Sequence, residues 1–324
     1  MRVLLLHSDV SPDAPPDEQD TIVTADAVER ALQAREHEVR RQAFVPEPEV
    51  LDRLLAESRA DLVFNLVESI FGQGDLAGLA PAMLERRGIR FTGASAAASG
   101  CTANKPLTKK ILRAAGLPTP DWSEPPRWEG IAESRWYVVK SATEDSSVGL
   151  EDGAVVHGRE AARERAGFSA ARHGGTWFAE AYCPGREFNV SLLEDGGKPR
   201  VLPIAEIEFS NWRPDRPRLV GYAAKWEESS PDCAATPRVF GLEETSPELA
   251  ARLSYLSRSS WNLFGLRGYA RVDFRLDAVD APTILEINPN PCLEPAAGFA
   301  AAALRAGISY AELVERILQA AIRV

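Results

Sequence analysis

At 324 residues, with 45% hydrophobic and 26% charged side chains, the chain has the make-up of a globular enzyme, long enough to divide into several units with ligand clefts between them. A formal net charge of -10, with no run of Lys or Arg, argues against nucleic acid or a membrane surface as partner and favours a small molecule. Cys101, Cys183, Cys233 and Cys292 form no CxxC pair and no cluster with the four histidines, so they read as reduced thiols. With no signal-peptide pattern and no bilayer-length apolar run, a cytoplasmic location is expected.

Residues 3–7 are a short apolar run expected as a buried strand, and Ala25, Val28, Ala31 and Leu32 then recur at helical spacing. The run 62–67 (LVFNLV) reads as a second strand, 76–84 as a helix and 89–92 as a third strand. Such alternation predicts a parallel α/β unit over residues 1–100. Asn104, Lys105 and Pro106 make a helix start, with Asn as cap and Pro in the first turn, and Gly116 ends that helix after Ala115. A Pro- and Trp-rich connector over 119–133 follows. Strand-like WYVVK (136–140) and TWFAEAY (176–182), with a helix over 159–166 between them, predict a smaller α/β unit over 101–182. From Phe188 onward NVSLL, VLPIAEIEF, YARVDFRL and TILEIN, a helix over 247–263 and a helical tail predict mainly antiparallel strands backed by helices, over 183–324.

Three stretches carry candidate chemistry. Asp273 in YARVDF and Glu286 in ILEIN each close an apolar strand, and period-two alternation puts Glu286 beside Asn288 and Arg271 beside Asp273. Two carboxylates and an amide oxygen are hard ligands suited to Mg2+, or to Mn2+ in its place. Alone, either strand reads as the solvent side of an antiparallel sheet; the two together, followed by NPNP, favour a site. Second, Lys140 ends a strand and Ser146-Ser147-Val148-Gly149 follows, a turn able to wrap phosphates with N–H and hydroxyl groups, or else an ordinary hairpin. Third, Glu180-Ala181-Tyr182-Cys183 leaves a strand just before Glu187; this reads as an adenine edge and a ribose contact, or as a solvent-facing acidic pair.

In this order the motifs resemble the D-alanine:D-alanine ligase branch of the ATP-grasp superfamily. The resemblance runs from IRFTGASAAASGCTANKPLTKKILRAAGLPTP through YVVKSATEDSSVGL, WFAEAYCPGREFNVSLL and GYAAKW to GLRGYARVDF and ILEINPNPCL. It implies an α/β (α+β) ATP-grasp fold of three subdomains, with ATP held between the central and C-terminal ones. By the same resemblance Lys105, Lys140, Ser146, Ser147 and Val148 meet the ATP phosphates. Glu180, with the backbone near Ala181 and Cys183, meets adenine, and Glu187 the ribose. Lys225 comes from a mobile loop onto the γ-phosphate, Asp273, Glu286 and Asn288 hold Mg2+, and Arg271 steadies the acyl phosphate. The activity implied is an ADP-forming ligation of a carboxylate to an amine.

Four departures stand against that pattern. The first loop lacks the family's glycine-rich stretch, leaving Glu18 near the place of its ammonium-binding glutamate. Glu68 stands where a His is usual, and Trp226 replaces a tyrosine after Lys225. After NPNP comes Cys292-Leu293-Glu294-Pro295-Ala296-Ala297, without the serine and leucine that hold the acceptor carboxylate. Glu68, with or without Glu18, is therefore expected on the donor ammonium, Cys292 as a small lining residue, and the acceptor as larger or without a free carboxylate. A ligase with another substrate pair is expected ahead of the D-alanine:D-alanine enzyme itself. A nucleotide-binding regulator or phosphotransferase is the alternative class, and the absence of GxGxxG disfavours a dehydrogenase. The oligomeric state is left open, a homodimer being one option.

Overall fold

The computed structural model describes residues 1–145, 147–227 and 229–322. Strands β1 (Arg2–His7), β2 (Glu38–Ala43) and β3 (Leu62–Leu66) form a parallel sheet in the order β2-β1-β3. Its central strand β1 is covered on both faces, which is why residues 3–6 are all apolar. Val3 and Leu5 pack with the helix Pro16–Gln33 on one side, while Leu4 and Leu6 pack with the helices Pro48–Ser58 and Leu79–Arg86 on the other. The expected third strand at 89–92 is reduced to a single parallel bridge between Val63 and Phe91. The third strand is β2, at the opposite edge beside β1, its sequence EVRRQA alternating exposed and half-buried positions.

The second sheet is fully antiparallel, in the order β4-β7-β5-β6, from β4 (Trp122–Ser123), β5 (Trp136–Ser141), β6 (Val155–His157) and β7 (Trp177–Ala181). The helix Arg159–His173 packs Ala162 and Ala166 against Tyr137, Val139 and Ala179. The third sheet holds β8 (Glu187–Asp195), β9 (Lys198–Val201), β10 (Ala205–Ile207), β11 (Arg238–Phe240), β12 (Tyr269–Leu276) and β13 (Pro282–Asn288). Its order is β11-β10-β8-β12-β13 with β9 also on β8, antiparallel throughout as expected. The helix Pro247–Phe264 backs it.

Cores cross the sequence boundaries. Ala94, Ala98 and Leu112 pack into the core of the third sheet. The expected helical tail is two helices, Gly298–Arg305 and Tyr310–Ala320, and Leu313, Val314, Ile317 and Leu318 join the core under β1 and the helix Pro16–Gln33. Among the described residues no helix is long and apolar enough to cross a membrane.

Candidate active site

On β12, Ala270, Val272, Phe274 and Leu276 enter the core, so Arg271, Asp273 and Arg275 share the opposite face. In a regular ladder Ile284 and Glu286 of β13 would also share a face. The register shifts between Asp273 and Phe274, so that Ile284 pairs with Phe274 and Glu286 with Asp273, leaving Leu285 as an extra residue. This bulge keeps Ile284 in the core and turns Glu286 and Asn288 toward Asp273 and Arg271. The four side chains therefore form a square on one sheet face.

The Arg271 guanidinium lies along Asp273, Nε to Oδ1 and Nη2 to Oδ2, both 2.8 Å. Asn189 Nδ2 donates to Asp273 Oδ1 at 2.8 Å and Asn288 Nδ2 to Oδ2 at 3.2 Å. Burial opposes ionisation of Glu286, but Lys105, Lys140, Lys225 and Arg271 together outweigh it and hold its carboxyl well below the usual range. Burial pushes the Asp273 carboxyl up, and Glu286 adds to this against the pull of Arg271. Among the described residues no three His, Cys, Asp or Glu side chains converge into a metal cage. Two facing carboxylates and an amide nonetheless suit a small hard dication that completes its shell with other oxygens.

Lysines from two elements face this square. The helix Lys105–Ala114 starts as expected, Asn104 Oδ1 accepting from the Leu107 amide at 2.9 Å. Lys105 Nζ donates to Glu144 O at 2.9 Å and Asp145 Oδ1 at 2.7 Å, and lies 3.9 Å from Glu286. Lys140 Nζ pairs with Glu180 Oε1 at 2.8 Å. The other oxygen of Glu180 pairs with Lys109, a residue passed over in reading the sequence although it follows Lys105 by one helical turn. Burial lowers the Lys109 pKa to about 8 despite Glu180. The carboxylate expected to face adenine thus anchors two lysines.

The residues expected at the ribose and adenine likewise have protein partners. Glu187 pairs with Arg275 Nε at 3.1 Å, and burial raises its carboxyl against that pairing. Arg275 Nη1 donates to the Cys183 carbonyl at 2.9 Å, and the Ala181 amide donates to Asp121 O at 2.7 Å. Burial pushes the Cys183 thiol up.

Two loops close over the lysines. Ser147 Oγ donates to Val220 O at 3.1 Å, and the Tyr222 amide donates to Leu150 O at 3.1 Å. Gly221 is needed at this crossing, since a Cβ there would lie 2.6 Å from Leu150 O. The short helix Tyr222–Trp226 carries Lys225 exposed, its charge felt by Glu187, Asp273 and Glu286. Tyr222 also donates its hydroxyl to Asp17 Oδ1 at 2.7 Å, tying this helix to the first unit. Ser146 lies outside the described residues.

At the far end, the backbone amides of Glu68 and Ser69 each donate to Ser8 Oγ at 3.0 Å. Burial, then the charges of Asp20 and Asp145, push the Glu68 carboxyl up to about 8. Cys292 Sγ donates to Asp20 Oδ2 at 2.9 Å, and burial holds the thiol well above its ordinary value, so it lines the cleft unreactive. Asp20 went unread in the sequence, one polar position among several near the start of the helix Pro16–Gln33. Glu18 lies farther out, near Gly72. All the described site residues except Glu180, Ala181 and Cys183 line one cleft of about 2060 Å³, with walls from all three sheets.

Comparison with known proteins follows this geometry. A family model described as the C-terminus of D-ala D-ala ligase matches residues 112–319. An uncharacterised protein of Sinorhizobium fredii is 33% identical over 312 residues, 92% of this chain and 87% of the relative. A D-alanine–D-alanine ligase of Synechococcus is 30% identical over 93% of this chain and 88% of its own length. Among solved structures, the Bacillus anthracis D-alanine–D-alanine ligase complexed with ATP superposes with a TM-score of 0.75 at 22% identity, covering 100% of this chain and 98% of that one. The Coxiella burnetii enzyme gives 0.70 at 18% identity, over 99% and 94%. The chain therefore belongs to the D-alanine–D-alanine ligase family of ATP-grasp enzymes.

Proposed function

We propose that the protein joins a donor amino acid, through its carboxylate, to the amine of a second small substrate, cleaving ATP to ADP and phosphate. The observation that carries this reading is the square of Arg271, Asp273, Glu286 and Asn288 facing Lys105 and Lys140 across one cleft. The units are 1–100, 101–182 and 183–324, with nucleotide between the second and third. Lys105, Lys140, Lys225 and the 146–149 loop hold the phosphates, and Asp273, Glu286 and Asn288 the Mg2+. That ion supplies Lewis acidity and charge neutralisation at the phosphates.

The donor carboxylate oxygen attacks the terminal phosphorus and the bond to the β-phosphate oxygen breaks, giving an acyl phosphate and ADP. The acceptor nitrogen then adds to the carbonyl carbon, phosphate leaves and the nitrogen loses a proton. Two like unit charges 4 Å apart repel by roughly 4 kcal/mol at an effective dielectric of 20, so the lysines and Arg271 are needed to bring carboxylate and polyphosphate together. Glu68, with Asp20 near it and Glu18 farther out, holds the donor ammonium and keeps that amine protonated and unreactive.

A second reading is ligation of two D-alanines, the activity in the relatives' own names; similarity along most of the chain favours it. Phosphate release with single and paired D- and L-amino acids, and chromatography of the nucleotide product, test both. The expected result is ADP, formed fastest with one particular pair. AMP and pyrophosphate would refute the mechanism, and a preference for D-alanine in both positions would establish the second reading.

A further inference from the structure

Arg238 opens the edge strand β11 and lines the cleft beside the turn that follows Cys292. Its guanidinium lies over Gly298, where a Cβ would come within 3.3 Å of Nε and 3.5 Å of Nη2. Nη1 donates to Ala296 O at a long 3.4 Å. Arg238 is exposed at the cleft wall; partial desolvation and then repulsion from Arg271 lower its pKa, and among the described residues no carboxylate is paired with it. Arg271 is already neutralised by Asp273, whereas Arg238 is not. A guanidinium remains charged at any working pH, and its planar fork matches a carboxylate through two parallel N–H bonds. Ala296, Ala297 and Gly298 line the same cleft beside it.

We propose, resting on the ligase reading above, that Arg238 binds a carboxylate of the acceptor and so selects an amino acid over a simple amine. Loss of the serine and leucine after NPNP pointed to an acceptor that is larger or without that group. The structure supplies a cation at the same turn from a different strand, so the anion requirement survives with a different residue meeting it. Arg238 sets specificity and takes no part in bond making.

The test uses the full-length enzyme with ATP, Mg2+ and the donor selected by the amino-acid screen. Acceptors are glycine, D-alanine, L-alanine and β-alanine, each beside its carboxamide. Wild type should use the acids with a KM about ten- to a hundredfold below that of the amides, the span expected for a charge-assisted contact. Arg238→Met should erase this difference by raising KM for the acids alone, with KM for ATP and the melting temperature unchanged, and Arg238→Lys should restore part of it. Equal losses for acid and amide in Arg238→Met, or a wild type that takes amides as readily as acids, would overturn the assignment while leaving the ligase reading standing. ADP formation stimulated by no acceptor of either kind would overturn the ligase reading, and this one with it.

Discussion

Glu68 faces a cleft in which burial and two acidic neighbours oppose its ionisation, so near neutral pH it is mostly protonated. Holding an ammonium group requires the carboxylate, and donor binding must therefore expel a proton. KM for the donor should fall by roughly tenfold per unit as pH rises from 6 to 7.5, and level off above about 8. Glu68→Gln should flatten that profile and raise donor KM about tenfold or more, leaving KM for ATP unchanged. Stability carries the same signature: a carboxyl raised in the folded state favours folding below its unfolded pKa of 4.5, and that contribution is lost as pH rises toward about 8. Melting curves should show Glu68→Gln gaining on wild type at pH 8 but not at pH 4. At the opposite wall, Glu286→Gln keeps the shape of the square and removes one charge; phosphate release should fall by at least about a hundredfold while circular dichroism stays native. Same-face pairing of these side chains was readable from strand periodicity. Lys109, Asp20 and Arg238 were not, because each acquires its role from a partner distant in sequence: Glu180, Cys292 and the Gly298 turn.

The two closing loops and the first helix form a three-way contact at the level of elements. Ser147 meets Val220, Leu150 meets Tyr222, and Tyr222 reaches Asp17. Burial and Asp17 push the Tyr222 phenol up to about 12, so it stays a donor throughout the working pH range. Tyr222→Phe removes this tie without disturbing the packing of the ring. Limited proteolysis of the segment 213–230 should then run about three- to tenfold faster, with nucleotide present or absent, and an unchanged cleavage rate would count against the tie. The departure noted in the sequence, Trp226 in place of a tyrosine, therefore coincides with a hydroxyl contact made four residues earlier. Strong apolar runs such as LVFNLV were legible as strands. The edge strand β2 was not, since EVRRQA buries too little to show an apolar signal, and 89–92 was over-read because apolar character alone does not secure a ladder. The bulge at Leu285 was also hidden, because it appears only when β13 is paired with β12.

Across the whole molecule, the sequence divided naturally at its connectors, but the cores do not respect those divisions. Ile317, fully buried from the helix Tyr310–Ala320, packs with Val28, Leu32 and Leu5 in one cluster. Ile317→Ala should cost about 2–5 kcal/mol of unfolding free energy in urea titrations, as deep truncations of this kind do. If the helix were a loose appendage, the loss would stay below about 1 kcal/mol.

The same packing bears on the order of events at the ribosome. The helix Pro16–Gln33 packs one face on β1, but its other apolar face is covered by side chains of the helix Tyr310–Ala320, made some three hundred residues later. At a translation rate of about 5–20 residues per second, that face waits roughly fifteen to sixty seconds for its cover. Throughout that interval the apolar face of the helix Pro16–Gln33 that meets the later helix is exposed to whatever the nascent chain meets, and a holding chaperone has a target there that the finished protein no longer presents.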